Sequence, residues 1–400
     1  MMNRAFKYRI YPNKEQANAL INWLGQTRFI WNLFLEQNIE QYKKDKTFIW
    51  KYALNMQLPS LKVQYPWLNA PAHSLQYIGR SLDQSLRTYC KNRKSMDVGF
   101  PHFKKKGSNE SGIYIPQVGK HISLLDKYIK IPKLSQIKIK KHRELIGIMK
   151  SITISRYIDQ WYVSILTEVP DISYQLEVKE STSLGIDLGI KSFAVTSESE
   201  YIDNPKYLRN SEDKIKKLQQ NLARKKKGSH NYSKAKVKLA KMYRKTRFQR
   251  KDFLHKGSCS IAKSNDNVFV EDLAVKNMLK NHKLAKAISD CGWSQFITYL
   301  EYKMKWKGGA MHKIARFAPS SQLCSECGRQ QKMPLSERKY VCPACGFVAN
   351  RDYNAAVNIL KIGMAGIATS KNACGDMKVV SMKQEAATRY GRSSSLISEA

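Results

Sequence analysis

Along the first half of the chain the apolar positions switch between two periods. Phe6, Tyr8 and Ile10 alternate with Lys7 and Arg9, a period-two strand stopped at Pro12. Asn13 then offers a helix cap and Gln16 the returning capping-box bond, after which Ala17, Leu20, Ile21, Leu24 and Trp31 recur at helical spacing. More helix is predicted from about Leu54 to Leu61 and from about Ala72 to Asn92. From about Gly112 to Val169 short apolar strands return, at 113–115, 128–131, 137–139, 151–154 and 161–166. Their near-regular spacing predicts a small β-barrel that the first strand could join, with residues 170–182 as a linker.

The second half alternates strands with helices. Leu184, Ile186, Leu188 and Ile190 surround Gly185, Asp187 and Gly189, then Phe193, Ala194 and Val195 follow a polar break, which reads as a hairpin. The two glycines leave backbone open beside the carboxylate, so a phosphate chain could come close. A second apolar strand, 267–270, runs into Glu271 and Asp272. Trp293, Phe296, Ile297, Leu300 and Met304 mark an amphipathic helix ended by Gly308 and Gly309, and 313–317 reads as a further strand. Asp352 opens a last helical run through Ala355, Ala356, Val357, Ile359 and Leu360. This alternation fits a mixed sheet with flanking helices. Asp187, Glu271 and Asp352 each end or open a core element, and three such carboxylates are the hard ligands a magnesium site needs. The tail from about Ala365 to Ala400 has little periodicity and is expected to be disordered.

Charge changes this picture more than composition does. The 400 residues carry 70 Lys and Arg against 32 Asp and Glu, a formal charge of +38, whose natural partner is a phosphate backbone. Residues 214–256 hold 17 of the basic residues and one acid, Asp252; Gly228 to Asn231 interrupt them, predicting a helical hairpin with Arg224, Lys225, Lys226 and Lys227 as candidate nucleic-acid contacts. Leu218, Leu222, Val237, Leu239 and Met242 supply its apolar positions. The loop Gly99-Phe-Pro-His-Phe-Lys-Lys-Lys-Gly107 sets two aromatics beside Lys104, Lys105 and Lys106, chemistry suited to base stacking and phosphate contact. No uncharged apolar span is long enough for a bilayer, and the N-terminus lacks a signal-peptide core, so a cytoplasmic, nucleoid-associated protein with no membrane partner is expected.

Of eight cysteines, Cys90, Cys259, Cys291 and Cys374 are scattered, which argues for a reducing compartment. The others form Cys324-Ser-Glu-Cys327 and Cys342-Pro-Ala-Cys345, each followed by Gly and separated by 14 residues. Four thiolates in two knuckles suit one structural zinc with no slot for a catalytic water; a redox pair is the alternative.

Taken in order, Gly185-Ile-Asp-Leu-Gly-Ile-Lys-Ser-Phe-Ala-Val195, Val270-Glu-Asp-Leu273, Pro319-Ser-Ser-Gln-Leu-Cys-Ser-Glu-Cys-Gly328, Cys342-Pro-Ala-Cys-Gly346 and Arg351-Asp-Tyr-Asn-Ala-Ala-Val-Asn-Ile359 resemble the TnpB (OrfB) proteins of insertion sequences, relatives of the type V CRISPR effectors. The likeness extends over residues 1 to about 365, including 6–12, 99–106 and 252–256. The resemblance implies an α+β, multidomain chain: a wedge-like β-barrel from 1–12 and 110–180, a helical bundle at 13–109, and a RuvC-like (RNase H-like) nuclease domain at 181–366 with a zinc ribbon at about 318–348. It implies a nuclease triad at Asp187, Glu271 and Asp352 holding two Mg2+, and one structural Zn2+ on Cys324, Cys327, Cys342 and Cys345. It implies a guide RNA from the transposon end, one chain per guide, and cutting of double-stranded DNA beside a short motif. Ser74 and Gln76 resemble the helix that reads that motif, where a Gln can bond an adenine edge. Asn350 replaces the Asp that many relatives carry there, and Gln322 and Leu323 replace a frequent Lys-Thr. A strand-joining transposase, or a nucleic-acid-binding regulator with an idle site, would share much of this pattern.

Overall fold

Strand β1 (Met2–Tyr11) keeps Phe6, Tyr8 and Ile10 buried while Lys7 and Arg9 face outward, as its alternation requires. The computed structural model describes residues 2–92, 98–106, 112–118, 121–170, 182–334 and 336–372, with side chains to 367. Residues 171–181 of the linker expected at 170–182 and residues 373–400 of the tail expected from about Ala365 lie outside the described residues, as does Gly107, while residues 365–372, expected to be disordered, continue the last helix. The chain divides into two compact units, residues 1–171 and 172–400.

In the first unit β1 leads into the 32-residue helix α1 (Lys14–Asp45), capped by the reciprocal bonds of Asn13 and Gln16: Gln16 N–H donates to Asn13 Oδ1 at 2.8 Å and Asn13 N–H to Gln16 Oε1 at 3.0 Å. Gln16 also donates from Nε2 to the carbonyls of Leu134 and Gln136, tying the helix start to the strands. Helices α2 (Lys51–Met56), α3 (Leu58–Gln64) and α4 (Ala72–Asn92) follow. Leu75, Ile78, Leu82 and Leu86 are the buried stripe of α4, at the spacing of one helical face.

The strands of this unit are β2 (Gly112–Ile115), β3 (Ser123–Leu124), β4 (Tyr128–Ile131), β5 (Ser135–Lys140), β6 (Ile148–Tyr157) and β7 (Gln160–Val169). They form one antiparallel sheet in the order β2-β6-β7-β1-β5-β4-β3. The first strand is its spine, paired with β7 from Met2↔Val169 to Ile10↔Trp161 and with β5 from Arg9↔Lys140 to Tyr11↔Lys138. Among the described residues the sheet is open, so the closed barrel expected from the strand spacing is not confirmed. Among the described residues the sheet ends at β2 and β3, which at four and two residues are too short to complete a ladder across the gap.

The second unit is built on a five-stranded sheet, ordered β10-β9-β8-β11-β12. Its strands are β8 (Ser183–Leu188), β9 (Ser192–Thr196), β10 (Tyr201–Asp203), β11 (Asn267–Glu271) and β12 (Ala310–Ile314). Hairpin partners β8 and β9 run antiparallel, whereas β11 is parallel to both β8 and β12. Between β10 and β11 come α5 (Tyr207–Asn210), α6 (Glu212–Ala223) and the 35-residue α7 (His230–Ser264); α8 (Val275–Met278), α9 (Ala285–Cys291) and α10 (Trp293–Lys307) connect β11 to β12. Trp293, Phe296, Ile297, Leu300 and Met304 are the buried face of α10, and Gly308 ends it at φ 88°. Because Gly309 follows at once, β12 begins at Ala310 rather than at 313, and 315–317 lie beyond the ladder.

The α6–α7 pair is the helical hairpin the basic stretch predicts, yet little of it is core. Ile215, Ala235 and Thr246 are its buried positions up to residue 250, where Val237 is 41% exposed, and only the end of α7 enters the core, through Leu254, Ile261 and Ala262. Two short strands, β13 (Lys339–Val341) and β14 (Val348–Asn350), precede the last helix, α11 (Arg351–Asn372). This helix lies unusually close to the sheet. A Cβ on Gly185 would stand 2.2 Å from Ala356 O, and one on Gly363 would stand 2.1 Å from Phe269 Cδ1. The opening at Gly185 therefore admits α11 and not, as the sequence suggested, a phosphate chain.

Candidate nuclease cleft and thiolate ribbon

Parallel pairing brings the first two acids together. Val270 lies opposite Ile186, so Glu271 and Asp187 are the next residues on adjacent strands about 4.8 Å apart, on one face at their carboxyl ends. The third arrives on α11. Asn350 Oδ1 accepts from the Asp352 backbone N–H at 2.9 Å, capping the helix and fixing Asp352 in its first turn. Asn350 therefore has a hydrogen-bonding role at the start of the helix.

Asp187, Glu271 and Asp352 line one cleft of about 840 Å³. Their mutual repulsion is visible in Asp187, whose carboxyl is pushed up to about 8 by burial first, then by Glu271 and Asp352, with Arg351 opposing. Neighbouring Asp272 has a different fate. It is paired with Arg316 and, at 3.9 Å, with Lys313, so it is neutralised where Glu271 is not. Glu271 instead accepts from Ser320 Oγ at 2.5 Å, and Asp352 faces Arg338 Nη1 at 3.5 Å. Lys191, Lys206, Arg209, Lys283 and Lys286 add positive charge to the lining. Acids that repel one another without full neutralisation offer hard oxygen donors of the kind a divalent cation takes, although they are drawn together less tightly than the four cysteines.

The cysteines form a second, closed centre. Gly328 and Gly346 adopt φ of 74° and 73°, and each donates its N–H at 3.0 Å to the carbonyl of the first cysteine of its knuckle, Cys324 or Cys342. Cys324 N–H donates to Arg329 O at 2.9 Å and Cys342 N–H to Phe347 O at 2.8 Å, so the two turns are near copies. All four Sγ atoms lie within 4.8 Å of one another, and among the described residues this is the one His, Cys, Asp or Glu cluster so tight. Cys324 Sγ is 3.7 Å from Cys345 Sγ and Cys327 Sγ 3.6 Å from Cys342 Sγ. Those spacings are too long for disulfides, and they match the edge of a tetrahedron with Zn–S bonds of about 2.3 Å, roughly 3.8 Å. Backbone N–H donors, that of Cys345 foremost, hold the Cys342 thiol down at about 6, which favours the thiolate a metal needs.

Helix α11 joins the two centres. Asn354 accepts from Ser325 N–H at 2.9 Å and donates to Leu323 O at 2.7 Å; Asn358 donates to Ser320 O and Leu323 O at 2.8 and 2.7 Å, and Lys361 bonds Ser325 O. Asn354 and Asn358 are 0% and 4% exposed. Polar residues one turn apart on the buried side of an otherwise apolar helix were the signal that the sequence analysis passed over. Ser320 and Arg338 carried no comparable signal, since their partners are remote in sequence.

The other candidates are scattered. Ser74 is buried at 1% exposure with its Oγ unpaired, whereas Gln76 is exposed. Lys104 is strapped to α1 by paired bonds with Asn32, at 2.8 and 3.1 Å, and its ammonium lies 3.7 Å from the Trp31 ring centroid, where burial lowers its pKa. Lys105 and Lys106 are exposed. Arg224 to Lys227 form the exposed turn between α6 and α7.

This is a multidomain, mixed α/β protein with an acid-lined cleft and a four-cysteine ribbon inserted before the last helix. It belongs to the TnpB (OrfB, IS605-type) family. Residues 164–282 match the OrfB_IS605 family, described as "Probable transposase", 293–359 match the "Cas12f1-like, TNB domain", and 1–47 match a family described as "Helix-turn-helix domain", although here they fold as β1 and the single helix α1. A Streptomyces pristinaespiralis protein described as "Putative RNA-guided DNA endonuclease" is 34% identical over 98% of this chain and 95% of its own length. InsQ of Escherichia coli K12, described in the same words, is 30% identical over 94% of each chain. A solved Cas12f1–sgRNA–target DNA complex is 20% identical, covering 90% of this chain and 99% of its own, with a TM-score of 0.34, too loose a superposition to carry an argument. No helix among the described residues is long and apolar enough to cross a membrane.

Proposed function

We propose that this chain is an RNA-guided DNA endonuclease of an insertion-sequence transposon, cutting DNA complementary to a transposon-derived guide RNA beside a short adjacent motif. The observation that carries the reading is the convergence of Asp187, Glu271 and Asp352 on one cleft, with Asp187 pushed up to about 8 by burial and by the other two carboxylates. The strand order β10-β9-β8-β11-β12, with two acids at the ends of its parallel strands, supports a RuvC-like nuclease domain. The relatives described as RNA-guided DNA endonucleases, matched end to end, support the guided reaction.

Asp187, Glu271 and Asp352 would hold two Mg2+. Bound there, the ions supply activation of the attacking water and stabilisation of the leaving oxygen. Ser320 orients Glu271, Asn350 sets the start of the helix that presents Asp352, and Arg338 offsets part of the Asp352 charge. The cationic lining attracts the phosphate backbone. Cys324, Cys327, Cys342 and Cys345 would hold one Zn2+ that fixes the ribbon. The first unit, with Gln76, Lys105 and Lys106 exposed, and the α6–α7 turn at Arg224 to Lys227 would bind guide and target, one chain per guide. Such a protein works at DNA in the cytoplasm.

The test is cleavage of plasmid DNA by the full chain purified with its RNA, in Mg2+ and in EDTA, after that RNA has been sequenced. Cutting that requires Mg2+ and a guide-matched target is expected. Joined DNA ends would favour a transposase, and salt-sensitive binding with no cutting would favour a regulator.

A further inference from the structure

The cations that line the cleft are not equivalent. Lys286 is paired with Glu212, Arg338 faces Asp352, and Arg351 bonds the carbonyls of Pro334 and Glu337. Among the described residues neither Lys191 nor Lys206 has an acidic partner, and both line the same space as the three carboxylates. Lys206 is also strained. Its φ of 47° and ψ of 43° are left-handed, a conformation that a residue with a Cβ disfavours and that glycine or asparagine adopts readily. Of the non-glycine residues with positive φ among the described residues, Lys206 is the one that lines the cleft. Its surroundings hold it there. Lys206 N–H donates to Asn204 Oδ1 at 3.2 Å, its carbonyl accepts from Asn210 N–H at 3.0 Å, and Asn210 Nδ2 donates to Pro205 O at 3.1 Å. The same Asn204 amide donates from Nδ2 to Ile190 O at 2.8 Å, the carbonyl just before Lys191 in the turn between β8 and β9. One side chain thus braces both lysine-bearing segments. A lysine that served only solubility would need neither the brace nor the strain, whereas strain over-determined by its surroundings is typical of a side chain held in place for a ligand.

We propose that Lys191 and Lys206, braced by Asn204, form a phosphate subsite that holds the phosphate next to the one presented to Asp187, Glu271 and Asp352. An ammonium meets a phosphodiester as a point charge, so two of them on one brace fix a place along the backbone without reading a base. They act as positioning residues: they set which phosphate lies against the carboxylates and take no part in bond making or breaking. This inference rests on the nuclease reading, which supplies the nucleic acid.

The test replaces single phosphates of the target strand with uncharged methylphosphonates, one position at a time on either side of the cut, and measures cleavage by the full chain with its copurified RNA in Mg2+. One neighbouring position should slow the parent chain about tenfold, and in Lys206→Gln, itself about tenfold slower, the same position should bring no further loss. The loss should appear in kcat, and Lys206→Arg should recover most of it. Lys206→Asn separates this role from folding. Asparagine tolerates the left-handed backbone, so the denaturant midpoint should be equal or higher while cleavage falls as in Lys206→Gln. A parent chain with no sensitive neighbouring position, a penalty undiminished in Lys206→Gln, or a Lys206→Asn chain that cuts at the parent rate would overturn the proposal. Binding of the full chain to single-stranded DNA in EDTA is scored separately, and its logarithmic salt dependence should fall by about one in each of Lys191→Gln and Lys206→Gln. Lowered salt dependence in a parent chain that never cuts would defeat the nuclease reading and leave the subsite standing, and cutting with unchanged salt dependence in both variants would do the reverse.

Discussion

The four cysteines and the three acids share one unit and are joined by one helix, yet they meet opposite demands. The thiols come from 22 consecutive positions, 324–345, and close on themselves with Sγ pairs at 3.6 and 3.7 Å. The acids come from positions 187, 271 and 352 and stay apart in an open cleft, raising the pKa of one among them. A closed ligand set contributes folding energy and excludes substrate, whereas an open one costs stability and leaves room for it. The cysteines therefore stand as structure and the acids as function.

The largest test of that contrast is removal of the ribbon metal. Zinc binding to structural four-ligand sites is worth about 10–16 kcal/mol of apparent free energy. Cys324→Ser, or a strong chelator, should cut bound zinc from about one equivalent to about none and open 318–348 to protease. Cleavage should fall as well, because Asp352 follows directly on β14. A variant without zinc that kept full activity would show that the ribbon does not position the cleft.

Next comes the open set. Asp187→Ala should reduce guided cleavage by about 100-fold or more, the loss of several kcal/mol of transition-state stabilisation. RNA binding, measured by filter retention, should be unchanged, since the basic surfaces survive. Because the acids repel one another, the same change should leave the melting temperature equal or slightly higher, whereas loss of a cysteine should lower it.

A third measurement concerns the packing that brings the sets together. Gly185→Ala places a Cβ 2.2 Å from Ala356 O, so α11 must shift away from β8. Overpacking of this kind costs about 1–3 kcal/mol, readable as a lowered denaturant midpoint, and Gly363→Ala against Phe269 should behave alike. A midpoint unmoved by both would mean that the helix is free to slide.

How much of this was written plainly in the sequence follows the same contrast. The ribbon, the α1 capping box and the buried stripe of α10 depend on neighbours a few residues away, and their spacing announced them. The acids were legible because each closes an apolar run, but what pairs with them was not. Ser320 reaches Glu271 across 49 positions and Arg338 is an unremarkable basic residue in a spacer until the fold sets it against Asp352. Gly185 was visible, though its use was misassigned: sequence shows that backbone is bare, and only tertiary structure shows what approaches it. The closed barrel is unconfirmed for a related reason. Strand spacing counts strands, while closure depends on the length and register of β2 and β3, which short apolar runs do not encode.

Titration sharpens the open site further. The Asp187 carboxyl, at about 8 in the fold, lies above the roughly 3.9 of an unfolded aspartate, so the native state holds this proton more tightly. Its contribution to metal-free stability is complete below about pH 4 and fades as pH rises to about 8. A cation must displace that proton, so apparent Mg2+ affinity, followed by the metal dependence of cleavage, should rise by up to about tenfold per pH unit below pH 8 and level off above it. An Mg2+ requirement independent of pH from 6 to 9 would mean that Asp187 is not a ligand.

The smallest expected effect lies on the link between the two sets. Ser320 donates to Glu271 from Oγ at 2.5 Å while its carbonyl accepts from Asn358, the residue that also holds Leu323 beside the first knuckle. Ser320→Ala keeps the carbonyl and removes the donor, so the ribbon should stay loaded with zinc while Glu271 loses its orientation. A hydrogen bond to a charged group is worth about 1.5–3 kcal/mol, but the freed carboxylate can turn to water, so cleavage should slow only about fivefold to tenfold. The loss should appear in kcat with KM unchanged, and Ser320→Thr, which restores a hydroxyl, should recover most of it. Equal losses in both variants, with zinc content falling alongside, would instead assign Ser320 to the closed centre and leave Glu271 to be set by β11 alone.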